Sequence, residues 1–205
     1  MRISYIFLVL SFSFLSPAFP SVPFGQSSLL PSSSSPVVAQ RISVHGVPNA
    51  GKVSDSLFRG AQPDLSNLNE LKKLGVTTIV DLRSESRHTR DLEQLQAESL
   101  GIHFVSIPVD GFSPPTSEQL AEFFSVLRQA PLQKVFVHCR FGEDRTGVFV
   151  AAYRIAFDRW TSDQALTEML YFGFNRHWHP AMVNYVRSLP DRVQSDPTLK
   201  SALGN

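Results

Sequence analysis

The run His138-Cys139-Arg140-Phe141-Gly142-Glu143-Asp144-Arg145-Thr146-Gly147 holds the only cysteine of the chain. It joins an apolar stretch, Lys134 to His138, to a longer one, Thr146 to Phe157. A tight loop between a buried strand and a buried helix turns backbone N–H groups inward and adds the helix dipole, which makes an anion cradle. Gly142 permits backbone angles that a side chain forbids. Arg145 can fork two N–H donors onto an oxyanion. At the floor of such a bowl the Cys139 thiol is expected to ionise well below its free value of about 8.5. A thiolate beneath a bound phosphate is an in-line nucleophile. A free cysteine is commonly just a small buried hydrophobe, but that reading leaves Arg145 unexplained.

The elements around this loop are legible from periodicity and caps. Leu57 to Gly60 reads as a short strand. Asp64 to Leu74 reads as a helix with leucines at 65, 68, 71 and 74, stopped by Gly75. Val76 to Leu82 is a β-branched, buried strand. A helix over Arg90–Leu100, stopped by Gly101, leads to a strand over Ile102–Pro108. Thr116 and Gln119 form a capping box for a helix that buries Leu120, Phe123, Phe124 and Leu127. Lys134–His138 is a strand and Thr146–Phe157 a central buried helix. Thr161 and Gln164 cap a further helix to Phe172, and Pro180 opens the last, to Leu189. Met169, Phe172 and Phe174 read as core. Strands alternating with helices predict an α/β layer fold with a mostly parallel central sheet flanked by helices. The working site then belongs at the carboxyl ends of the strands, at the turn after His138.

Composition narrows the classes of function. The 205 residues carry 19 basic and 18 acidic side chains, a formal charge of +1, unlike the strongly basic domains that hold nucleic acid. One cysteine excludes an internal disulfide and a multi-cysteine metal site. No apolar run approaches the roughly 20 residues of a membrane-spanning helix. Arg2 is the only charge before Arg41, and Ile3 to Leu15 is an apolar stretch. This fits a signal peptide over residues 1–18, cleaved after Ala18, and hence an exported, periplasmic or secreted chain. Residues 16 to 40 contain eight serines, five prolines and no charge, so 19–40 reads as a disordered linker. The domain is expected over 41–190, with 191–205 as a C-terminal tail.

His-Cys-x5-Arg-Thr-Gly with a central glycine resembles the signature of the cysteine-dependent protein tyrosine phosphatases. Leu57-Phe58-Arg59-Gly60-Ala61-Gln62-Pro63 and Val80-Asp81-Leu82-Arg83 are similar to the small dual-specificity subgroup, including exported bacterial members. The resemblance covers roughly residues 50 to 190 and implies that fold. It implies that Cys139 attacks phosphorus and becomes a phosphocysteine, and that Arg145 binds the phosphate. The amides from Arg140 through Phe141, Gly142, Glu143 and Asp144 to Arg145 would hold its oxygens. Thr146 would hydrogen-bond the sulfur, and His138 would order the loop through a backbone contact. No metal or other cofactor is implied, because the loop supplies the positive charge. The partner is a phosphorylated protein or a small phosphate ester.

The leaving oxygen needs a proton, usually from a carboxylic acid. The family places an aspartate some thirty residues before the cysteine, and Asp110 stands there, amid Gly111 and Pro114-Pro115. Asp144 is the alternative acid. Cys-x-x-Gly-x-Asp-Arg-Thr-Gly looks like a bacterial subgroup active on phosphoinositides as well as phosphotyrosine. Many of that subgroup carry lysine where this chain has Glu143, a departure that makes the bowl less positive; Arg140 partly restores charge at the rim. Glu143 and Asp144 also read simply as first-turn acids that favour the helix dipole. An inositol phosphate or phosphoinositide phosphatase and a non-catalytic phosphate-binding module remain alternative readings. A rhodanese-type sulfurtransferase generally has a shorter loop.

Weaker signals point elsewhere. Gly46 to Lys52 begins like a nucleotide-binding loop but has Val53 where a hydroxyl must hold magnesium. His177 and His179 could suggest a metal, yet read as a helix cap with a packed Trp178. Arg83, Arg87 and His88 follow a strand's carboxyl end on the site's side and are candidates to touch substrate.

Overall fold

The computed structural model describes residues 37–129 and 133–204. The predicted signal peptide and most of the predicted linker lie outside the described residues. Six strands form one sheet: β1 (Gln40–Arg41), β2 (Gly51–Lys52), β3 (Leu57–Ala61), β4 (Thr78–Arg83), β5 (His103–Val109) and β6 (Val135–Cys139), in the order β1-β2-β3-β6-β4-β5. The β3, β6, β4 and β5 pairings are parallel. β1 and β2 extend the sheet antiparallel beside β3. The helices are α1 (Leu68–Lys73), α2 (Arg87–Ser99), α3 (Ser117–Arg128), α4 (Asp144–Ala156), α5 (Ser162–Tyr171), α6 (Pro180–Ser195) and α7 (Pro197–Leu203). The expected α/β architecture with a mostly parallel sheet is therefore present.

Alternation along each strand divides the core in two. Val135, Val137 and Cys139 of β6, with Val80 and Leu82 of β4, pack against α3 to α7. Phe136 of β6 and Ile79 of β4 pack against α1 and α2. The central strand is thus buried on both faces, which is why it reads as a continuous apolar run. Both predicted capping boxes form, at Thr116 with Gln119 and at Thr161 with Gln164.

Several boundaries differ from expectation. The folded part starts before Arg41: Ala39 is buried and donates its N–H to Glu168 Oε2 at 2.7 Å, and Gln40–Arg41 pairs with β2. Residues 191–203 are not a tail. Met182, Val186, Leu189 and Val193 are all buried at spacings of three and four, so burying that stripe carries α6 through Pro190. Asp196 then caps α7 by accepting from Thr198 N at 2.8 Å, and Leu199 is fully buried. α2 starts three residues earlier than periodicity indicated, because the Ser86 hydroxyl accepts from Thr89 N. The first helix is shorter, a 3₁₀ turn over Leu65–Asn67 leading into α1.

Candidate active site

Cys139 is the last residue of β6, at the carboxyl end of a central parallel strand, and is buried. The chain turns through residues 140–143 and enters α4 at Asp144. The turn is tied down from behind. The Arg140 carbonyl accepts from Gln62 N at 3.3 Å. The Phe141 carbonyl accepts from Asn49 Nδ2 at 3.3 Å, and the Gly142 carbonyl from Asn49 Nδ2 at 3.2 Å and Arg59 Nη2 at 2.8 Å. The Glu143 carbonyl accepts from Gly147 N inside the helix. All peptide bonds described are trans. In a planar trans unit the following N–H points opposite to the carbonyl, so the amides of residues 141 to 144 face away from these anchors. Gly142 has φ +71, and a Cβ there would come within 2.5 Å of the Ala61 nitrogen. Only glycine lets the turn pass this close to β3.

Arg145, on the first turn of α4, is almost wholly buried. Nη1 and Nη2 donate to Glu85 Oε2 and Oε1 at 2.6 and 2.7 Å, and Nη1 reaches the Val109 carbonyl at 3.3 Å. This bidentate contact holds the Glu85 carboxyl down at about 2. Burial alone would lower the Arg145 value, but the bonds it donates to Glu85 and the charges of Cys139 and Glu85 together raise it. Glu85 stands just after β4, a residue that sequence reasoning passed over; its position beyond Val80-Asp81-Leu82-Arg83 was the available signal.

Over this floor lies a cavity of about 560 Å³. Asp110, Arg140, Phe141, Glu143, Asp144 and Arg145 line it, so it brings together most of the predicted site. Asp110 Oδ1 accepts from Phe112 N and Ser113 N at 2.9 Å each, and these bonds hold its carboxyl below the usual value. Burial and the neighbouring Asp144 push the Glu143 carboxyl up. Phe112, Phe141 and Trp178 stand exposed at the rim. Trp178 is thus 76% exposed rather than packed. His179 is buried, its ring centroid 5.6 Å from that of Phe112 and its Nε2 3.5 Å from Asp144 Oδ2. Trp178 and His179 belong to the cavity wall, although their sequence context suggested only a helix cap.

Two further expectations change. Thr146 Oγ1 is buried without a hydrogen-bond partner among the described residues, so the expected bond to the Cys139 sulfur is not formed. Arg83 is not in the wall of this cavity: it is almost wholly buried, with Nε 2.8 Å from Asp81 Oδ1 and Nη2 2.7 Å from Glu93 Oε2, and it lines a second cavity of about 360 Å³ beside Glu85 and Arg140. Arg87 is exposed, 3.8 Å from Asp91. His138 completes the buried cluster, Nε2 lying 2.9 Å from Glu93 Oε1 and Nδ1 3.4 Å from the Cys139 carbonyl. Burial, the largest single influence, opposes protonation of His138, but the charge and hydrogen bond of Glu93 and the charge of Asp81 together raise its value. Asp81, Glu93 and His138 are spaced as three metal ligands could be. The Arg83 guanidinium already bridges both carboxylates, so the donor set fits a closed ion-pair network better than a cation site.

An anion-turning loop with a cysteine at its base, set at the carboxyl end of a parallel sheet, defines an α/β domain of the protein tyrosine phosphatase type. The family model described as "DSP-PTPase phosphatase fused to NAD+ Kinase" matches residues 37–178, and the chain belongs to that family. Among curated relatives, dual specificity protein phosphatase TpbA of Pseudomonas aeruginosa is 31% identical over 130 residues, 62% of this chain and 55% of that protein. Inositol diphosphatase DSP1 of Oryza sativa is 28% identical over 129 residues, 61% of this chain and 57% of that protein. The chain therefore matches little more than half the length of these relatives. The crystal structure of P. aeruginosa TpbA superimposes with a TM-score of 0.65 at 26% identity, covering 83% of this chain and 99% of that one. A second structure, a cysteine-to-serine form of TpbA in complex with pTyr, aligns at 24% identity with a TM-score of 0.63, covering 79% of this chain and 99% of that one.

Proposed function

We propose that the chain is a phosphomonoester hydrolase working through a phosphocysteine, with phosphotyrosine in proteins as its main substrate class. The observation that carries the reading is the turn after β6, where the carbonyls of Arg140, Phe141 and Gly142 are bonded by Gln62, Asn49 and Arg59, so that the following amides face away from those anchors, between Cys139 and Arg145 in the chain. The Cys139 thiolate attacks phosphorus; the P–S bond forms as the ester P–O bond breaks. Asp110, once its carboxyl gives up the Phe112 and Ser113 amides that favour the charged form and takes a proton, gives that proton to the leaving oxygen. Water then attacks the phosphocysteine, Asp110 takes back a proton, and inorganic phosphate leaves with the thiolate restored. Thr146 Oγ1 has a free donor for a charged sulfur, and the loop amides and Arg145 offset the phosphoryl charge.

The cavity wall supports the substrate class. Phe112, Phe141 and Trp178 give the cavity an aromatic rim suited to an aromatic ester. Glu85, Asp110, Glu143 and Asp144 place four carboxylates against the guanidinium groups of Arg140 and Arg145. A polyphosphorylated inositol would meet repulsion there. The TpbA structure with pTyr points the same way. Export is part of the proposal and rests on the apolar stretch Ile3 to Leu15.

The test is hydrolysis of p-nitrophenyl phosphate by the full chain, with a reductant and a metal chelator present. Turnover that survives chelation and disappears in Cys139→Ser is expected; full turnover by Cys139→Ser would refute the mechanism. Phosphotyrosine peptides should exceed a diphosphoinositol in kcat/KM, and the reverse ranking would overturn the substrate class. Recovery of intracellular protein still bearing Met1 to Leu15 would overturn export.

A further inference from the structure

Arg59 and Asn49 lie outside the cavity, behind the cysteine loop. Arg59, on β3, is fully buried. Its Nη2 donates to the Gly142 carbonyl at 2.8 Å, and its guanidinium sits 3.9 Å from the centre of the Phe172 ring. Nε and Nη1 have no hydrogen-bond partner, and no carboxylate lies within ion-pair distance among the described residues. The nearest acid by influence, Glu168, is already bound to Arg154 at 2.9 Å and to Ala39 N. A buried, unpaired cation is costly to keep, so its retention beside this loop calls for a reason.

Asn49 closes the same loop from the neighbouring turn. Its Nδ2 reaches the carbonyls of Phe141, Gly142 and Phe172, while its Oδ1 accepts from Arg41 Nη1 at 3.0 Å. Asn49 adopts φ +53, a left-handed conformation that asparagine tolerates better than most residues. Two donors thus converge on one peptide oxygen, that of Gly142. A peptide unit held this way cannot flip its N–H out of the bowl without breaking both bonds.

We propose that Arg59 and Asn49 are positioning residues that lock the cysteine loop in its anion-binding form, and that Arg59 also supplies a buried positive charge behind the Cys139 sulfur. The inference deepens the phosphatase reading and rests on it. The charge relations agree with the geometry. Burial draws the Arg59 value down to about 10, while Glu168 and Cys139 favour its charged form and Arg41 and Arg154 oppose it. On α4, the Cys139 charge likewise favours the charged form of Arg145, behind the bonds to Glu85. His138 and its acids occupy the opposite face of β6.

The test uses the full chain and inorganic phosphate as the probe. Two readouts are needed: phosphate affinity by calorimetry, and the rate of Cys139 alkylation by uncharged iodoacetamide at slightly acidic pH, which needs a thiolate but no anion cradle. Asn49→Gly keeps the backbone conformation and removes the donor; phosphate affinity and kcat/KM should fall about tenfold with alkylation unchanged. Arg59→Lys retains the charge and loses the fixed fork, so it should behave similarly. Arg59→Met should slow alkylation as well. If Arg59→Met fails to fold, Asn49→Gly and Arg59→Lys carry the test. Phosphate affinities within about twofold of the unaltered chain in both would overturn the positioning role; unchanged alkylation in a folded Arg59→Met would overturn the charge. An unaltered chain that neither binds phosphate nor turns over would sink the phosphatase reading itself, a separate result.

Discussion

Glu85→Gln separates two quantities that usually move together, stability and ligand affinity. In the structure Glu85 occupies both terminal nitrogens of Arg145, leaving only Nε free of it. The drop of the Glu85 carboxyl from 4.5 to about 2 is worth about 3 kcal/mol at about 1.4 kcal/mol per pH unit. The Glu85 side chain is 42% exposed, and screening by water cuts the net contribution to about 1 kcal/mol. The sign follows from the direction. A depressed carboxyl stabilises the fold fully above its unfolded value near 4.5, and the contribution is lost as pH falls through about 2. Glu85→Gln should therefore lower the melting temperature at neutral pH by about 2–4 °C. That difference should close near the acid end. Phosphate affinity should move the other way. Removing a carboxylate that competes for Arg145 should tighten phosphate binding about fivefold, the equivalent of about 1 kcal/mol. Melting curves across pH and calorimetric titration of phosphate read the two effects separately. Weaker phosphate binding in Glu85→Gln would refute the competition and make Glu85 a support of Arg145 instead.

Asp110→Asn should slow hydrolysis of an alkyl phosphate about a hundredfold and p-nitrophenyl phosphate much less, since p-nitrophenolate leaves without a proton. If Asp144→Asn shows that leaving-group dependence instead, Asp144 is the acid. Gly142→Ala should lose phosphate binding and cost about 1–3 kcal/mol, measured by urea unfolding, because the φ of +71 and the contact with β3 both oppose a Cβ; near-parental stability would show that the turn can move. Leu199→Ala should destabilise the whole domain by about 2–5 kcal/mol in one cooperative transition. A separate, earlier transition confined to α7 would show that this helix is not part of the domain's core.

What could be read from the sequence is local. β6, α4 and the turn between them follow from an apolar run, a glycine and a second apolar run. The capping boxes at Thr116 and Thr161 follow from side chains three residues apart. What could not be read is long-range. Glu85 is 60 residues from Arg145, and nothing in the spacing says that the loop after β4 folds over α4. Asn49 is 93 residues from Gly142, in a stretch notable in the sequence only for imitating a nucleotide-binding loop. Trp178 and His179 sit before a helix-opening proline, so local chemistry explains them fully without the cavity they line. Pro190 looked like a stop because propensity weighs only the backbone, whereas burial of Val193 decides whether the helix continues. The same pattern explains the tail that proved to be two packed helical segments.

The buried charges show how the sheet builds a reactive end out of an inert core. β6 alternates, so Cys139 faces α3 to α7 and His138 faces α1 and α2. Each face of that strand end carries its own buried charged set. Behind His138 stand Asp81, Arg83 and Glu93, closed on one another by bonds of 2.7 to 2.8 Å. On the Cys139 face, Arg154 binds both Glu168 and Asp158, and Arg59 is left with a carbonyl and an aromatic ring. The first set pairs each cation with a carboxylate, which suits a support that holds the strand end and the Cys139 carbonyl. The second leaves one cation, Arg59, without a carboxylate in contact, which suits a wall behind a sulfur that the proposed reaction uses as an anion. A buried anion is tolerated only where the surroundings already hold opposite charge. The asymmetry between the two faces places the cation without a carboxylate partner, Arg59, on the face that Cys139 shares, which is the side the proposed reaction needs. Loop geometry and buried charge contribute separately, and Arg59→Met beside Asn49→Gly is the pair of variants that tells one from the other.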